Sequence, residues 1–582
     1  MERKIEKMDW RNIRNGREIP TEYYSDQPYI LKADDGAWVC SLTTGEGKEG
    51  LPGQYVMTMR STDMGRTWEN INRMEPKGSP ENSYSVLLKT SYGRIYCFYN
   101  FNKDNVREII ATDPPFEGGI CKRVDSQGYY VFRYSDDNGM TWSDQRGEVP
   151  MRRFRWDLEN PYKGEIMFFW NVGKPLVHDD CAYLSIHKVG EMGHGFFAKS
   201  EGVLIKSENI MYERDITKLR FETLPEGDIG IRTPEGGGPV SEEHSYVPLS
   251  DGSFFTVYRT IDGRPAYSYS RDQGRNWEEP KYMPVRHPRA ANFVWKLENG
   301  QFLYWFHNNW GKWYDDRNPA WCLAGKETDG PDGRMIEWSQ PEILLYDEDP
   351  YVRISYPDLI QDSGKTFVSE TQKDYARTHE IDKEFLGKLL SWKELGPCSG
   401  EDILLECGFG VHDMPVIEPF LFFDHSGAAS CTGDNHNGFS FEFVLEGKPG
   451  KWEMIADNRG EDGSGILVES TDDDKIYIIL SDGRTICSWK SDVIDFKEKT
   501  FVTMTVDGGP KIISFVVNGT LQDGAGKRQF GWGRFNPNLR HVNGGKKITV
   551  AEKVDVLRIY KRALLTNEAA ANHREYMKGV GI

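Results

Sequence analysis

The segment Ser61-Thr-Asp63-Met-Gly65-Arg-Thr67-Trp68 occurs twice more in related form, as Ser135-Asp-Asp137-Asn-Gly139-Met-Thr141-Trp142 and Ser270-Arg-Asp272-Gln-Gly274-Arg-Asn276-Trp277. All three fit the pattern S-x-D-x-G-x-[TN]-W. In such a unit the Asp carboxylate accepts backbone N–H groups within a turn and the Gly takes a positive φ, while the Trp anchors the loop on the next strand. We therefore predict that each segment is a turn that joins two strands of one sheet.

The spacing of these segments predicts a repeating fold. Gly65 and Gly139 lie 74 positions apart, and Gly139 and Gly274 lie 135 positions apart, which is about two units of ~67 residues. A degenerate copy is therefore expected between the second and third segments. The stretch Asp332-Gly-Arg-Met-Ile-Glu-Trp338-Ser-Gln-Pro341 is a weaker echo about one unit later.

The first two thirds of the chain, residues 1–395, hold about six such units. Short apolar or alternating runs within the units, such as Tyr55–Met59 and Phe254–Tyr258, are typical of β-strands. We predict an all-β protein whose first domain is a six-bladed β-propeller of four-stranded blades. An unrelated array of β-sandwiches is the alternative.

The last third changes character after Trp392, and a Gly-Pro-Cys-Ser-Gly stretch from 396 marks a boundary. Strand-like runs such as Phe439–Val444, Phe501–Val506 and Ile512–Val517 predict an antiparallel sandwich over residues 396–582. The pattern resembles the laminin-G or concanavalin-like jelly roll. That resemblance implies either a glycan-binding domain or one that only packs against the first domain, and the sequence favours neither.

Composition excludes several classes of function. The 582 residues include 72 Lys and Arg against 90 Asp and Glu, a net charge of −18 that repels nucleic acid and anionic membranes. No apolar stretch of ~18 residues predicts a membrane span, and the start lacks the apolar core of a signal peptide. We expect a cytoplasmic protein, or a secreted or periplasmic one if the start was trimmed.

Neither a metal site nor a cofactor is predicted. The nine cysteines are scattered and never occur in C-x-x-C spacing, which argues against a disulfide scaffold and a structural zinc site. The sequence also lacks a Gly-rich phosphate loop.

The repeated Asp-box segments resemble those of the sialidase (neuraminidase) superfamily, over roughly residues 20–390. Sialidases have a Glu eight residues before an Asp-Gly turn and an Arg eight residues after that Asp. Here Glu243 precedes Asp251-Gly252 by eight positions, and Arg259 follows Asp251 by eight.

Two further parts of the family pattern have counterparts in this sequence. Arg317-Asn318 matches a second arginine motif, and Tyr356-Pro-Asp358-Leu, followed by Glu370, matches the family's Tyr motif. The resemblance implies that Tyr356, Arg317, Asn318, Asp358 and Glu370 belong to one site.

The chemistry that the resemblance implies is hydrolysis of a ketoside whose anomeric carbon bears a carboxylate. A neutral Tyr hydroxyl approaches such an anion without repulsion, but at a pKa of ~10 it needs a neighbouring base. Tyr356 is thus the expected nucleophile and Glu243 its base. Arg259 and Arg317 are expected to bind the substrate carboxylate through their guanidinium forks.

The sequence departs from the family pattern at two points. Asp26 stands where sialidases carry the first arginine of a carboxylate-binding triad, which puts sialic acid itself in question. The loop that holds the family's acid/base Asp contains only Glu46 and Glu49. We favour Glu49 as the general acid; alternatively, Asp26 is the acid or binds sugar hydroxyls.

Further polar residues are expected to recognise the sugar, namely His244, His287, Arg289 and His307. The favoured function is a sialidase-like exo-glycoside hydrolase that removes a terminal acidic sugar with retention through Tyr356. Three alternatives stay open. The first is a uronate lyase that uses a His with Tyr356, the second an exo-glycosidase for neutral sugars, and the third a non-catalytic glycan-binding protein.

Overall fold

A computed structural model of the chain describes residues 8–111, 119–193, 196–311, 315–424 and 431–580. Strands account for 44% of the structure and helices for 7%, so the predicted all-β class is confirmed. Among the described helices, none has the length and apolar character needed to span a membrane.

Six antiparallel sheets of four or five strands, named A to F, occupy the described chain between residues 17 and 380. Sheet A comprises Tyr24–Lys32, Trp38–Gly45, Gln54–Ser61 and Glu69–Arg73. Sheet B comprises Asn82–Lys89, Ile95–Phe101, Tyr129–Ser135 and Gly147–Glu148. Sheet C comprises Phe168–Trp170, Leu176–His178, Cys181–Gly193, Phe196–Ser207 and Phe221–Leu224.

Sheets D to F complete this part of the molecule. Sheet D comprises Glu242–Pro248, Phe254–Arg259, Ala266–Ser270 and Lys281–Tyr282. Sheet E comprises Phe293–Lys296, Phe302–Phe306, Ala320–Gly330, Gly333–Trp338 and Glu342–Leu345. Sheet F comprises Ser355–Asp362, Lys365–Thr371, Ala376–Glu380 and the early strand Arg17–Ile19. A two-stranded ribbon pairs Ile109–Ile110 with Ile120–Cys121.

The six sheets surround a common space. Arg17–Ile19, near the start of the chain, pairs with Ala376–Glu380 and so completes the sheet at the other end of this region. A cavity of about 630 Å³ is bordered by residues of all six sheets, among them Ile30, Leu87, Leu176, Val247, Val294 and Ile360. Each of the six sheets therefore contributes residues to one shared cavity.

The repeated segments form the predicted turns between the third and fourth strands of their sheets. In sheet A, Asp63 Oδ1 accepts hydrogen bonds from Thr67 N at 2.9 Å and Arg66 N at 3.0 Å, while Gly65 has a φ of 78°. The same carboxylate-to-backbone bond recurs at Asp137 with Thr141 N and at Asp272 with Asn276 N. Each carboxylate thus satisfies turn donors that would otherwise be left unpaired.

The expected degenerate copy lies in sheet C, where Asn209 takes the place of the Asp. Asn209 Oδ1 accepts from Arg220 N at 3.0 Å, and Ile210 N donates to Ser207 Oγ at 3.3 Å. The weaker echo at Asp332 lies in the tight turn between the third and fourth strands of sheet E.

Two larger sheets form the C-terminal part. Sheet G is built from Ile403–Cys407, Val554–Tyr560, Phe439–Glu446, Lys499–Asp507, Ile512–Val517, Thr520–Leu521 and Gly533–Arg534. Sheet H is built from Gly410–Asp413, Lys547–Val550, Met454–Asp457, Gly465–Ser470, Ile476–Ser481 and Ile486–Lys490. Leu421–Asp424 pairs separately with Cys431–Asp434. The α-helices are Arg155–Glu159, Lys383–Leu390 and Thr566–Val580, and single 3₁₀ turns lie at Ile13–Asn15, Ile216–Lys218 and Gly400–Asp402.

The C-terminal part packs directly on the sheets that precede it. One buried apolar cluster combines Phe306 and Trp321 of sheet E with Ile512, Val516 and Trp532 of the C-terminal part. Burial of each such side chain contributes on the order of 1.5–3 kcal/mol, so this shared core ties the two parts together.

Candidate active site

One irregularity recurs in the first strand of four sheets and places the candidate site residues. Each of these strands carries a β-bulge next to the central axis, because its register against the second strand shifts by one residue. A residue with positive φ lies in each bulge: Gln27 (52°), Tyr84 (56°), Glu243 (55°) and Tyr356 (45°). Such backbone costs about 1–3 kcal/mol per residue, and it is typical of functional sites.

Tyr356 and Glu243 meet across the centre, from sheets F and D. Tyr356 Oη donates a hydrogen bond to Glu243 Oε1 at 2.8 Å, and the two residues are 6% and 0% exposed. Burial raises the pKa of Tyr356 well above its usual value, and the charge of Glu243 adds to that effect. Burial also raises the pKa of Glu243. The phenol therefore keeps its proton in the resting site and already points it at a carboxylate.

Arg259 links Glu243 to the preceding residue, Glu242. Its Nη1 lies 2.9 Å from Glu243 Oε1, and its Nε donates to Glu242 Oε2 at 2.7 Å. Arg289 also binds Glu242, with Nε donating to Oε2 at 3.2 Å. Burial raises the pKa of Glu242, but the charges of Arg289 and Arg259 lower it by more, so its pKa is lowered overall. Glu242 is thus a fixed anion that holds two arginines in place.

Arg317 contacts the strand that carries Tyr356. Its Nη1 donates to the hydroxyl of Ser355, the residue before Tyr356, and its Nη2 donates to the backbone oxygen of Arg289 at 3.4 Å. Burial lowers the pKa of Arg317, and the like charge of Arg259 acts in the same direction. A nearby anion would offset both of these effects at Arg317.

Lys373, in the turn after the second strand of sheet F, brings Asp26 and Glu49 together beside Tyr356. Its Nζ lies 2.8 Å from Asp26 Oδ2 and 3.1 Å from Glu49 Oε2. The same Nζ lies 4.1 Å from the centroid of the Tyr356 ring. Tyr24 Oη also donates to Asp26 Oδ2, at 2.7 Å. The structure therefore gathers all four residues that we predicted to be catalytic in one centre.

The two carboxylates beside Lys373 are in opposite protonation environments. Burial raises the pKa of Asp26, which is 1% exposed, and the nearby charge of Glu49 adds to the rise. For Glu49, burial is outweighed by Lys373 and Arg123, and the pKa is lowered. Glu49 is therefore held ionised and is a poor proton donor. Of the two acids that we predicted, Asp26 has the surroundings that favour the protonated form, and the choice between Asp26 and Glu49 stays a prediction.

Arg123 binds Glu49 and also contacts Tyr84 and Asp125. Its Nη2 donates to Glu49 Oε1 at 3.0 Å and to Tyr84 Oη at 2.6 Å, while its Nε lies 2.7 Å from Asp125 Oδ1. Tyr84 Oη in turn donates to Asp125 Oδ2 at 2.7 Å. Tyr84 thus repeats, at the equivalent bulge of sheet B, the buried Tyr-to-carboxylate bond of Tyr356.

The three histidines that we predicted to bind sugar are buried and contact protein atoms, and their role in sugar binding stays a prediction. His244 Nε2 lies 3.1 Å from Ser241 Oγ, and its ring stacks on Tyr258 at 4.1 Å. His287 Nε2 bonds Ala290 O at 2.8 Å, and His307 Nδ1 bonds Pro319 O at 3.2 Å.

The contacts of His287 and His307 lie next to Arg289 and Arg317 in the chain and help to hold the segments that carry these two arginines. Burial lowers the pKa of His287 to about 3 and those of His244 and His307 well below the usual value, so all three rings are neutral.

Asn318, Asp358 and Glu370 also have their polar atoms engaged inside the protein. Asn318 Nδ2 donates to the backbone oxygens of residues 347 and 349, both at 2.8 Å. Asp358 Oδ2 accepts from Ile30 N at 2.8 Å, and Glu370 Oε1 lies 3.0 Å from His379 Nε2. Their role in substrate binding stays a prediction.

Sequence reasoning missed Glu242, Lys373 and Arg123. Glu242 directly precedes Glu243, so a pair of adjacent acids was a visible signal. Lys373 and Arg123 lie in loops that return to the centre, and no spacing rule connects them to the rest of the site. Within the described ranges, no group of three or more His, Cys, Asp or Glu has the geometry of a metal site.

Comparisons with known proteins give one family match and a set of distant structural likenesses. The family model described as BNR/Asp-box repeat matches residues 133–144, which include the second turn segment. The predicted Asp-box repeat is thus confirmed. No curated protein matches the chain.

Among solved structures, a protein of unknown function from Dyadobacter fermentans is 14% identical, with a TM-score of 0.46, over 63% of this chain and 97% of its own. Trypanosoma rangeli sialidase is 12% identical, with a TM-score of 0.44, over 96% and 94%. The intramolecular trans-sialidase from Ruminococcus gnavus is 14% identical, with a TM-score of 0.44, over 63% and 96%. Such low values establish neither an activity nor a substrate for this chain.

Fold and site together define an all-β Asp-box protein. Its centre holds a buried Tyr–Glu pair, two arginines beside that pair and a lysine that joins two further carboxylates.

Proposed function

We propose that this chain is a sialidase-like exo-glycoside hydrolase that removes a terminal acidic sugar with retention of configuration. The observation that carries the proposal is the 2.8 Å hydrogen bond from Tyr356 Oη to Glu243 Oε1, flanked by Arg259 and Arg317. A nucleophile that donates to a buried base is the arrangement required for covalent catalysis by a weak acid.

We further propose that sheets A to F are the six blades of a β-propeller in residues 1–395. Their common central space and the closure of sheet F by Arg17–Ile19 support this assignment. For residues 396–582 we propose a concanavalin-like sandwich, which the two antiparallel sheets G and H support.

The arginines indicate the substrate class. A sugar with a carboxylate next to its anomeric carbon places that anion beside Arg259 and Arg317, where it offsets their mutual repulsion. Because a carboxylate nucleophile would repel such a substrate, a neutral Tyr356 suits it better. The preferred substrate is therefore a sialic-acid-like ketoside.

The first chemical step transfers the sugar to Tyr356. The O–H bond of Tyr356 breaks and its proton passes to Glu243, while Oη bonds to the anomeric carbon. The bond from that carbon to the leaving oxygen breaks, and Asp26 gives this oxygen a proton. In the second step water attacks the anomeric carbon, Asp26 takes the proton of the water, and Tyr356 leaves and recovers its own proton from Glu243.

A lyase is the weaker candidate because it needs a proton-abstracting histidine at the nucleophile. Among the described residues, the hydrogen-bond partner of Tyr356 Oη is Glu243. His187, the histidine that contacts Glu243, does so by accepting its backbone N–H at 3.1 Å. Burial lowers the pKa of His187 well below the usual value. Turnover of neutral sugars, and glycan binding without turnover, are two other results that the assay can give.

The test is a panel of 4-methylumbelliferyl glycosides that includes N-acetylneuraminate, deaminated neuraminate, uronates and neutral sugars. Wild type is compared with Tyr356→Phe and with Tyr84→Phe, a matched control at the equivalent bulge. We expect release of fluorophore from an acidic ketoside by wild type and Tyr84→Phe, and its loss in Tyr356→Phe.

Other results contradict the proposal. Turnover of neutral sugars alone would exclude the acidic substrate. An unsaturated product absorbing in the ultraviolet would identify a lyase, and binding without turnover of any substrate would identify a glycan-binding protein.

A further inference from the structure

The loop that carries Arg317 is held by residues of the C-terminal part. Trp532 Nε1 donates to the backbone oxygen of Asn308 at 2.9 Å, and Trp310 N donates to the backbone oxygen of Gln529 at 2.8 Å. Arg534 Nη2 donates to the backbone oxygen of Asn318 at 2.9 Å. We call residues 523–534, which make these contacts, the brace.

The brace contacts the residue before Arg317 and the residue after it. The residue before it, Asp316, accepts a hydrogen bond from the Gln529 side chain, and the residue after it, Asn318, accepts from Arg534. Arg317 itself reaches into the centre, where it bonds Ser355. Residues of the C-terminal part thus hold the side chain of Asp316 before this arginine and the backbone of Asn318 after it.

The brace also reaches the neighbouring segment, which carries Arg289. Arg286 Nε donates to Asp523 Oδ2 at 2.6 Å. The Arg286 guanidinium carbon lies 3.5 Å from the centroid of the Trp310 ring, whose atoms lie 3.3–3.5 Å from the position that a Cβ on Gly526 would take. One short stretch of the C-terminal part therefore contacts the segments of two arginines, Arg289, which binds Glu242, and Arg317, which binds Ser355.

Arg534 is the charged member of this arrangement. Burial lowers its pKa to about 10, which leaves it a cation at neutral pH. A hydrogen bond from a buried cation to a carbonyl is roughly twice as strong as a neutral one, and its loss leaves that carbonyl without its partner. The second arm of Arg534, Nη1, is anchored within the C-terminal part on Pro510 O at 2.9 Å.

We propose that the brace is a positioning element of the active site, and that Arg534 is a positioning residue that sets the place of Arg317 through the Asn318 carbonyl. This inference rests on the proposed function, because the position of Arg317 matters for a substrate carboxylate. A shift of about 1 Å in a binding group is enough to lower activity severalfold or more. The C-terminal part thereby contributes to substrate binding without touching the substrate.

The test compares Arg534→Leu with Arg540→Leu in the full chain. Arg540 is a matched control because it also lies in the C-terminal part and donates from Nε to a carboxylate there, Asp482, at 2.8 Å. Since Arg317 holds the substrate in both ground and transition states, we expect Arg534→Leu to raise KM about 5- to 20-fold with kcat within twofold. Arg534→Lys, which keeps the donor, is expected to recover most of the loss.

A second readout does not depend on activity. Amide hydrogen exchange in peptides covering residues 315–319 is expected to be faster in Arg534→Leu and unchanged in Arg540→Leu. Unchanged KM together with unchanged exchange would overturn the inference, as would equal effects of both variants. If wild type turns over no glycoside, the proposed function fails, and the exchange experiment still decides whether the brace holds the loop.

Discussion

Two glutamates near Tyr356, Glu243 and Glu49, have pKa values that are shifted in opposite directions. Glu243 accepts a hydrogen bond from Tyr356, and burial raises its pKa. Glu49 lies between Lys373 and Arg123, which lower its pKa despite burial. The difference shows that the charges around a carboxylate, more than its residue type, set whether it tends to hold a proton or to stay ionised.

Adjacent positions show the same contrast. Glu242 and Glu243 follow each other in one strand, and both are fully buried. Glu242 is bound by two arginines and its pKa is lowered, whereas the pKa of Glu243 is raised. Both side chains contact Arg259, but the bulge at Glu243 brings this residue to Tyr356, whereas Glu242 also binds Arg289.

The largest expected effect distinguishes Tyr356 from Tyr84, the two tyrosines that lie at bulges. Tyr356→Phe removes the nucleophile and is expected to lower kcat by at least about 10³-fold. Tyr84→Phe removes an equally buried hydroxyl that bonds Asp125, and we expect a loss below about 10-fold. Steady-state kinetics on the best substrate measure both. Equal losses in the two variants would remove the special role of Tyr356.

The next effect separates the adjacent glutamates. Glu243→Gln is expected to lower kcat by about 10²–10³-fold with little change in stability, because a general base is lost. Glu242→Gln leaves two buried arginines without their anion, and we expect it to reduce the free energy of unfolding by about 3–5 kcal/mol. Denaturant titration together with kinetics distinguishes the two. If Glu242→Gln lowered kcat and Glu243→Gln lowered the free energy of unfolding, the roles of the two glutamates would have to be exchanged.

A smaller effect tests the choice of acid. Asp26→Asn is expected to lower kcat by about 10²-fold for a substrate with an alkyl leaving group, and by less for an activated aryl group, which needs no proton. Glu49→Gln is expected to reduce kcat by less than about 10-fold on both substrates. If Glu49→Gln alone showed the dependence on the leaving group, Glu49 would be the acid after all.

The smallest effect is a pair of opposite shifts in the pH profile. Asp26 acts in its protonated form, so activity falls as the pH rises through its pKa. Lys373 lowers that pKa and Glu49 raises it. The alkaline limb of kcat/KM is therefore expected to move up by about one pH unit in Lys373→Gln and down in Glu49→Gln. Shifts in the same direction would show that another group controls this limb.

Much of the fold was predictable from local sequence. The Asp-box segments specify their own turns, because the Ser, Asp, Gly and Thr that bond one another lie within a few residues. The placing of Tyr356 beside Glu243 was accessible only through the family spacing, since 113 positions separate the two residues.

The rest depends on how separate sheets approach one another. Lys373 reaches Asp26 across 347 positions, and its charge lowers the pKa of Glu49 and opposes the rise that burial causes at Asp26. The histidines illustrate the same limit. Their residue type suits sugar binding, but their bonds to Ser241, Ala290 and Pro319 became visible only in three dimensions.

Covalent trapping provides the decisive measurement. The protein is incubated with a 2,3-difluorinated sialic acid, in which fluorine slows the second step, and is then analysed by intact and peptide mass spectrometry. We expect one sugar adduct per chain on the peptide that contains Tyr356, absent in Tyr356→Phe and present in Tyr84→Phe. An adduct on Glu49 or Asp26, or turnover of sialosides with no adduct on Tyr356, would contradict the assignment of Tyr356 as the nucleophile.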